Sequence, residues 1–122
     1  LGYPLAGDRV EERLKHIAQD QARQLFVATA ADGLVIGWVE VILRSLLVLD
    51  SAAEIGGLVV DEAYRGSGAG RLLMGQAERW AREQGRQQVY LRSNIVREGS
   101  HRFYERIGYE NHKTQFTFRK AL

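Results

Sequence analysis

The residues with the plainest chemistry form one turn, Arg65-Gly66-Ser67-Gly68-Ala69-Gly70-Arg71. It follows the apolar run Leu58-Val59-Val60-Asp61 and leads into an amphipathic stretch beginning Leu72-Leu73. Strand, glycine turn and helix in that order set several backbone N–H groups at a helix start. Free amides and the positive end of the helix dipole attract an anion there. Gly66, Gly68 and Gly70 let a ligand approach the main chain closely, and Arg65 and Arg71 flank it with positive charge. The chemistry of such a turn is the binding of a phosphate-bearing ligand. Its spacing excludes two familiar phosphate loops. A Walker loop closes on Gly-Lys-Ser/Thr, whereas this turn closes on Gly70-Arg71-Leu72; in a G-x-G-x-x-G fingerprint the third glycine comes one residue later than Gly70. A glycine-rich turn that holds nothing remains the alternative at this point.

Composition narrows the classes further. A chain of 122 residues has the size of one domain, and it is read here as a single domain spanning 1–122. The absence of cysteine excludes disulfides, thiolate metal sites and a cysteine nucleophile. A net charge of only +2, with both signs interspersed, argues against a nucleic-acid partner. No apolar run approaches a membrane span and the N-terminus has no signal-peptide pattern, so a cytoplasmic protein without a membrane partner is expected. His16, His101 and His112 show no metal-ligand spacing, and no metal is expected.

The elements that must position the turn follow from periodicity. Asp8 as N-cap, with Val10, Leu14, Ile17 and Ala18 at helical spacing, predicts a helix over Arg9 to Asp20. Leu25 to Ala30 reads as a strand, Asp32-Gly33 as a hairpin turn, and Leu34 to about Leu43 as the returning arm, extending toward Leu49. Gly37 within that arm suggests a bulge or close packing. A turn near Asp50-Ser51 leads to a third strand, Ala53 to Val60, completing an antiparallel meander. Leu72, Leu73, Ala77, Trp80 and Ala81 form the apolar stripe of a helix over Gly68 to Gln84, closed by Gly85. Val89 to Arg92 is a short strand, expected parallel to the third because a helix separates them. Glu98 to Ile107 is a further helix closed by Gly108, and alternating Phe116 and Phe118 predict a half-buried strand over Thr114 to Arg119.

Arg65-Gly66-Ser67-Gly68-Ala69-Gly70 resembles the Q/R-x-x-G-x-G/A signature of the GCN5-related N-acetyltransferase (GNAT) superfamily. Ser93-Asn94, followed by Phe103-Tyr104-Glu105-Arg106-Ile107-Gly108-Tyr109, resembles the family's second conserved block. The resemblance covers nearly the whole chain. It implies a mixed, mostly antiparallel α/β sheet splayed at a cofactor cleft, with helices on both faces. It implies acetyl-coenzyme A as co-substrate and direct transfer of an acetyl group to a primary amine, on a small molecule or a protein. In that scheme the amides of Arg65, Gly66, Ser67, Gly68, Ala69, Gly70 and Arg71 hold the pyrophosphate. The main chain of Leu58, Val59 and Val60 pairs with the pantetheine arm, and Asn94 touches it too. Tyr104 stands near the sulfur and protonates the leaving thiolate, its alternative being a packing aromatic. Glu54, in an Ala-Glu-Ile run, resembles the glutamate that serves histone-type members as base. Glu40 and Asp50 are its rivals, and a strand-end carboxylate is the plainer reading. His101 and Arg97 fit packing or helix-start contacts better than catalysis. The family's first strand is expected to be absent, leaving the Phe26 strand with a free edge and making a homodimer an open expectation. A non-catalytic acyl-coenzyme A binder is the second functional reading.

Overall fold

The computed structural model describes residues 7–46, 49–93 and 98–122. They fall into two units, Leu1–Leu91 and Arg92–Leu122. In the first, helix α1 (Gly7–Gln19) precedes strands β1 (Arg23–Thr29), β2 (Val35–Leu46) and β3 (Leu49–Val60). A single 3-10 turn, Glu62–Tyr64, leads to helix α2 (Ala69–Glu83) and strand β4 (Gln88–Tyr90). The four strands lie in the order β1-β2-β3-β4. The first three form the expected meander, and β4 joins β3 in parallel.

The meander forms because the Asp32-Gly33 turn supplies what a hairpin requires. Gly33 adopts φ 87°, Leu34 N–H donates to Asp32 Oδ1 at 3.0 Å, and Ala30 N–H donates to Leu34 O at 2.8 Å. The expected break at Asp50-Ser51 is absent. Leu46 pairs with Leu49, and Ser51 takes its positive φ of 39° inside β3. The third strand therefore starts four residues before Ala53.

Side-chain alternation along β2 sorts the sheet into two faces. Gly37, Val39 and Val41 point toward α2; a Cβ placed on Gly37 would stand 3.2 Å from Leu73 Cδ1. Val39, Val41 and Met74 are fully buried there, each contributing about 1.5–3 kcal/mol by leaving water. The buried positions of α2 are Ala69, Leu73, Met74, Ala77 and Ala81. Leu72, expected in that stripe, is 74% exposed. It is one residue, about 100° of helix, away from Leu73, and only one of two adjacent leucines can face the sheet. The helix ends as Gly85 suggested: Arg86 N–H donates to Ala81 O at 3.0 Å behind a left-handed glycine.

The second unit carries α3 (Glu98–Arg106), which ends the same way, with Tyr109 N–H donating to Tyr104 O at 2.9 Å. The expected strand over Thr114 to Arg119 does not form. Residues 109–122 have no regular secondary structure, and Phe116 and Phe118 are 91% and 92% exposed. Alternation says which face of a strand would be apolar; it does not supply the neighbouring ladder a strand needs. Among the described residues, no helix is long and apolar enough to cross a membrane, and no cluster of His, Cys, Asp and Glu could hold a metal ion.

Candidate active site

Strand β3 is paired unequally on its two sides. Toward β2 its ladder runs from Leu49 to Val60. Toward β4 it runs only through Ala52↔Gln88, Ala53↔Val89 and Glu54↔Tyr90. Beyond Glu54, among the described residues, no strand pairs with that edge of Ile55 to Val60. The cause lies in a bulge. Glu40 pairs with Gly57 and Val41 with Ile55, so Gly56 is the extra residue. A bulge bends its strand and sharpens the local twist, and this one sits immediately past the last β3–β4 pair. Leu58, Val59 and Val60 are consequently half-exposed, with main-chain groups available to an extended ligand in the manner of an added strand.

The glycine turn follows after the single 3-10 turn. Asp61 ends β3, its N–H bonded to Ile36 O at 2.7 Å and its Oδ1 accepting from Ala63 N–H at 3.0 Å. The chain is tied back by Tyr64 N–H to Asp61 O at 2.9 Å, Arg65 N–H to Glu62 O at 3.3 Å and Ser67 N–H to Tyr64 O at 3.2 Å. Gly66 and Gly68 have φ of 82° and 93°, conformations that β-carbons resist, and a Cβ on either would meet nothing within 4 Å. The turn is thus open to a ligand. Gly68 caps α2 without a side-chain hydrogen bond, and Ser67 Oγ makes only a long contact, 3.4 Å, with Ala69 N–H. Gly70 and Arg71 are in the first turn of α2, where N–H groups lack an intrahelical acceptor. Arg65 and Arg71 are exposed beside them. This arrangement fits a diphosphate, with the adjoining strand edge fitting an amide-bearing arm.

Glu54 stands in the middle of β3, not at a strand end, and is 6% exposed. Its Oε1 accepts from Arg44 Nε at 2.9 Å and from Arg44 Nη2. The Glu54 carboxylate, and Tyr90 to a smaller extent, hold the Arg44 guanidinium above its ordinary pKa, with burial opposing them. Arg86 Nη1 adds a hydrogen bond to Arg44 O at 3.2 Å, while Arg86 Nε is buried without a partner. Asp50 lies at the other end of β3 from the glycine turn. Glu40 lies across from the bulge, its side chain 16% exposed.

The first unit therefore carries Glu54 and Leu58 to Val60 along one strand, with Arg65 to Arg71 in the turn and helix start that follow. Tyr104 belongs to the second, on α3. Its ring packs edge-on against Phe103 at 5.3 Å and Tyr109 at 6.1 Å between centroids. Asn94 and Arg97 lie outside the described residues. Sequence reasoning passed over two features, the glycine pair opposite Glu40 and the Arg44 partner of Glu54. Gly56-Gly57 inside a strand was the available signal for the first.

Comparison with known proteins agrees with this geometry. The model of the acetyltransferase (GNAT) family matches residues 3–109. An aminoglycoside N(6')-acetyltransferase type 1 from Stenotrophomonas maltophilia is 30% identical, over 98% of this chain and 80% of its own length. An aminoalkylphosphonate N-acetyltransferase from Salmonella typhimurium is 44% identical over 57% of this chain and 44% of its own. Among solved structures, AAC(6')-Iy in complex with a bisubstrate analogue, CoA-S-monomethyl-acetylneamine, superposes with a TM-score of 0.86 at 22% identity. The match covers 99% of this chain and 83% of that one.

Proposed function

The chain belongs to the acetyltransferase (GNAT) family, and from that membership we propose an N-acetyltransferase whose acceptor is a small cationic amine. Acetyl-coenzyme A is the acyl donor and an amine the acceptor. The observation that carries the reading is strand β3, its outer edge beyond Glu54 unpaired among the described residues, leading through one 3-10 turn to an open glycine turn. The pantetheine arm pairs with the free edge of Leu58 to Val60, and the diphosphate rests on the turn from Arg65 to Arg71, with Asn94 as a further contact of the arm. Tyr104 protonates the departing thiolate. The neutral amine attacks the thioester carbonyl, the C–S bond breaks, and coenzyme A leaves as the thiol. The two structural units act as one domain, a reading supported by a family match that crosses residue 91. A small polyamine-like acceptor is favoured by the relative that acetylates an aminoglycoside along nearly this whole length.

A panel of aminoglycosides, polyamines, aminoalkylphosphonates and lysine peptides, incubated with acetyl-coenzyme A and followed by release of free thiol, tests this. Amine-dependent thiol release, strongest with the polycationic small molecules, is the expected outcome. Coenzyme A binding without amine-dependent thiol release from any member would support the non-catalytic binder instead.

A further inference from the structure

Trp38 and Glu40 are two residues apart on β2, so their side chains share the sheet face opposite α2. On β3 Glu40 pairs with Gly57 and Trp38 with Val59, and Gly56 is the bulged residue beside Gly57; neither glycine carries a side chain. A Cβ on Gly56 would stand 2.5 Å from Glu40 Oε1 and 2.9 Å from Ile42 Cδ1. One on Gly57 would stand 2.9 Å from the Trp38 ring. The carboxylate and the indole therefore lie directly over the β3 main chain. They do so at the bulge, beyond which no strand among the described residues pairs with the other edge of β3. Gly56 itself is exposed, Glu40 is half-buried and Trp38 is 37% exposed, so the spot is open to a small molecule. An ammonium between a carboxylate and an indole face is a favourable arrangement.

Resting on the acetyl-transfer reading above, we propose that Glu40 is the carboxylate that receives the acceptor's ammonium and removes its proton, with Trp38 as the wall of the acceptor slot. Glu54 is the less suitable group. Its Oε1 is already taken by two donors of Arg44, whereas Glu40 Oε1 faces the cleared backbone of Gly56. The balance is simple. The ammonium gives one proton to Glu40, which passes it to water. The neutral nitrogen forms the C–N bond as the C–S bond breaks. The second nitrogen proton is released in that step, and the thiolate acquires one to leave as thiol. The charged neighbours of Glu40 within the first unit are Arg23 on β1, whose Nε is 4.0 Å from Oε2, and Asp20, 3.9 Å from the same Nε. Farther along the same face stand Glu54, Arg44 and Tyr90.

The test is the pH profile of thiol release for wild type, Glu40→Gln and Glu54→Gln, with acetyl-coenzyme A binding and circular dichroism measured alongside. Glu40→Gln is expected to lower kcat about 100-fold, the scale of general-base catalysis. It should also abolish the acidic limb of the profile and leave acetyl-coenzyme A affinity within about twofold. Glu54→Gln is expected to keep that limb. Gly56→Ala supplies a folded control, because both clashing atoms are ends of flexible side chains. It should displace Glu40 and lower kcat/KM for the amine about tenfold, a 1.4 kcal/mol change by the usual conversion. Retention of the acidic limb in Glu40→Gln, or its loss in Glu54→Gln, would overturn the assignment. Absence of amine-dependent thiol release from wild type would instead overturn the transfer reading on which it rests.

Discussion

The Arg44–Glu54 pair makes a demanding test of how the site face is built. Glu54 has a side chain 8% exposed, while that of Arg44 is 41% exposed. Two unit charges about 4 Å apart interact by about 4 kcal/mol at an effective dielectric near 20. Half of this pair is wet, so the net coupling should fall to about 2 kcal/mol. The two halves are also unequal. Arg44→Met keeps the apolar stem and leaves a carboxylate buried without its cation, at a cost of about 3 kcal/mol. Glu54→Gln leaves a guanidinium that can turn to water, at a cost of about 1.5 kcal/mol. The double variant should cost about 2.5 kcal/mol, well short of the sum. Urea unfolding of all four proteins at near-neutral pH closes the cycle, and repeating it in high salt should shrink the coupling only modestly. A coupling below about 0.5 kcal/mol would place the pair among ordinary surface contacts. Glu54→Gln costing more than Arg44→Met would refute the burial asymmetry.

Other consequences are quicker to check. Leu73→Ala should lower stability by about 2–4 kcal/mol in thermal or urea unfolding, because Leu73 is 3% exposed under the sheet, whereas Leu72→Ala should change it by less than about 0.5 kcal/mol. Gly66→Ala and Gly68→Ala each force a β-carbon into a left-handed backbone, at about 1–2 kcal/mol, and should raise the KM for acetyl-coenzyme A about tenfold in the thiol assay. Tyr104→Phe should lower kcat by at least about tenfold while calorimetry shows unchanged coenzyme A binding, if Tyr104 is the proton donor.

Most of the frame could be read from the chain because its signals are local. Asp32-Gly33 fixed a hairpin, Gly85 and Gly108 fixed helix ends, and a helix between two apolar runs fixed a parallel pairing. The glycine turn stood out for the same reason: its chemistry is in the main chain, and the residues that free the main chain are contiguous. What could not be read depends on partners distant in sequence. Choosing between Leu72 and Leu73 needs the direction from which the sheet meets α2. Nothing in the sequence around Glu54 signals the Arg44 that β2 sets against it. Glu40 looked no better than its rivals because its relation to Gly56 exists only through the β2–β3 register. Phe116 and Phe118 alternate as a strand should, yet alternation carries no information about a missing neighbour.

The half-paired strand also bears on solubility. Ile55-Gly56-Gly57-Leu58-Val59-Val60 carries no charge and no proline, and among the described residues no strand lies beside its outer N–H and C=O groups. Such an edge invites other strands as readily as it invites a ligand. The binding surface is therefore also a hazard, and one that occupancy removes. A donor filling the edge at about 100 times its Kd adds about 2.7 kcal/mol to stability by mass action and masks the segment most apt to associate. The free protein should thus be the aggregation-prone form, and its soluble lifetime should follow the supply of acyl donor.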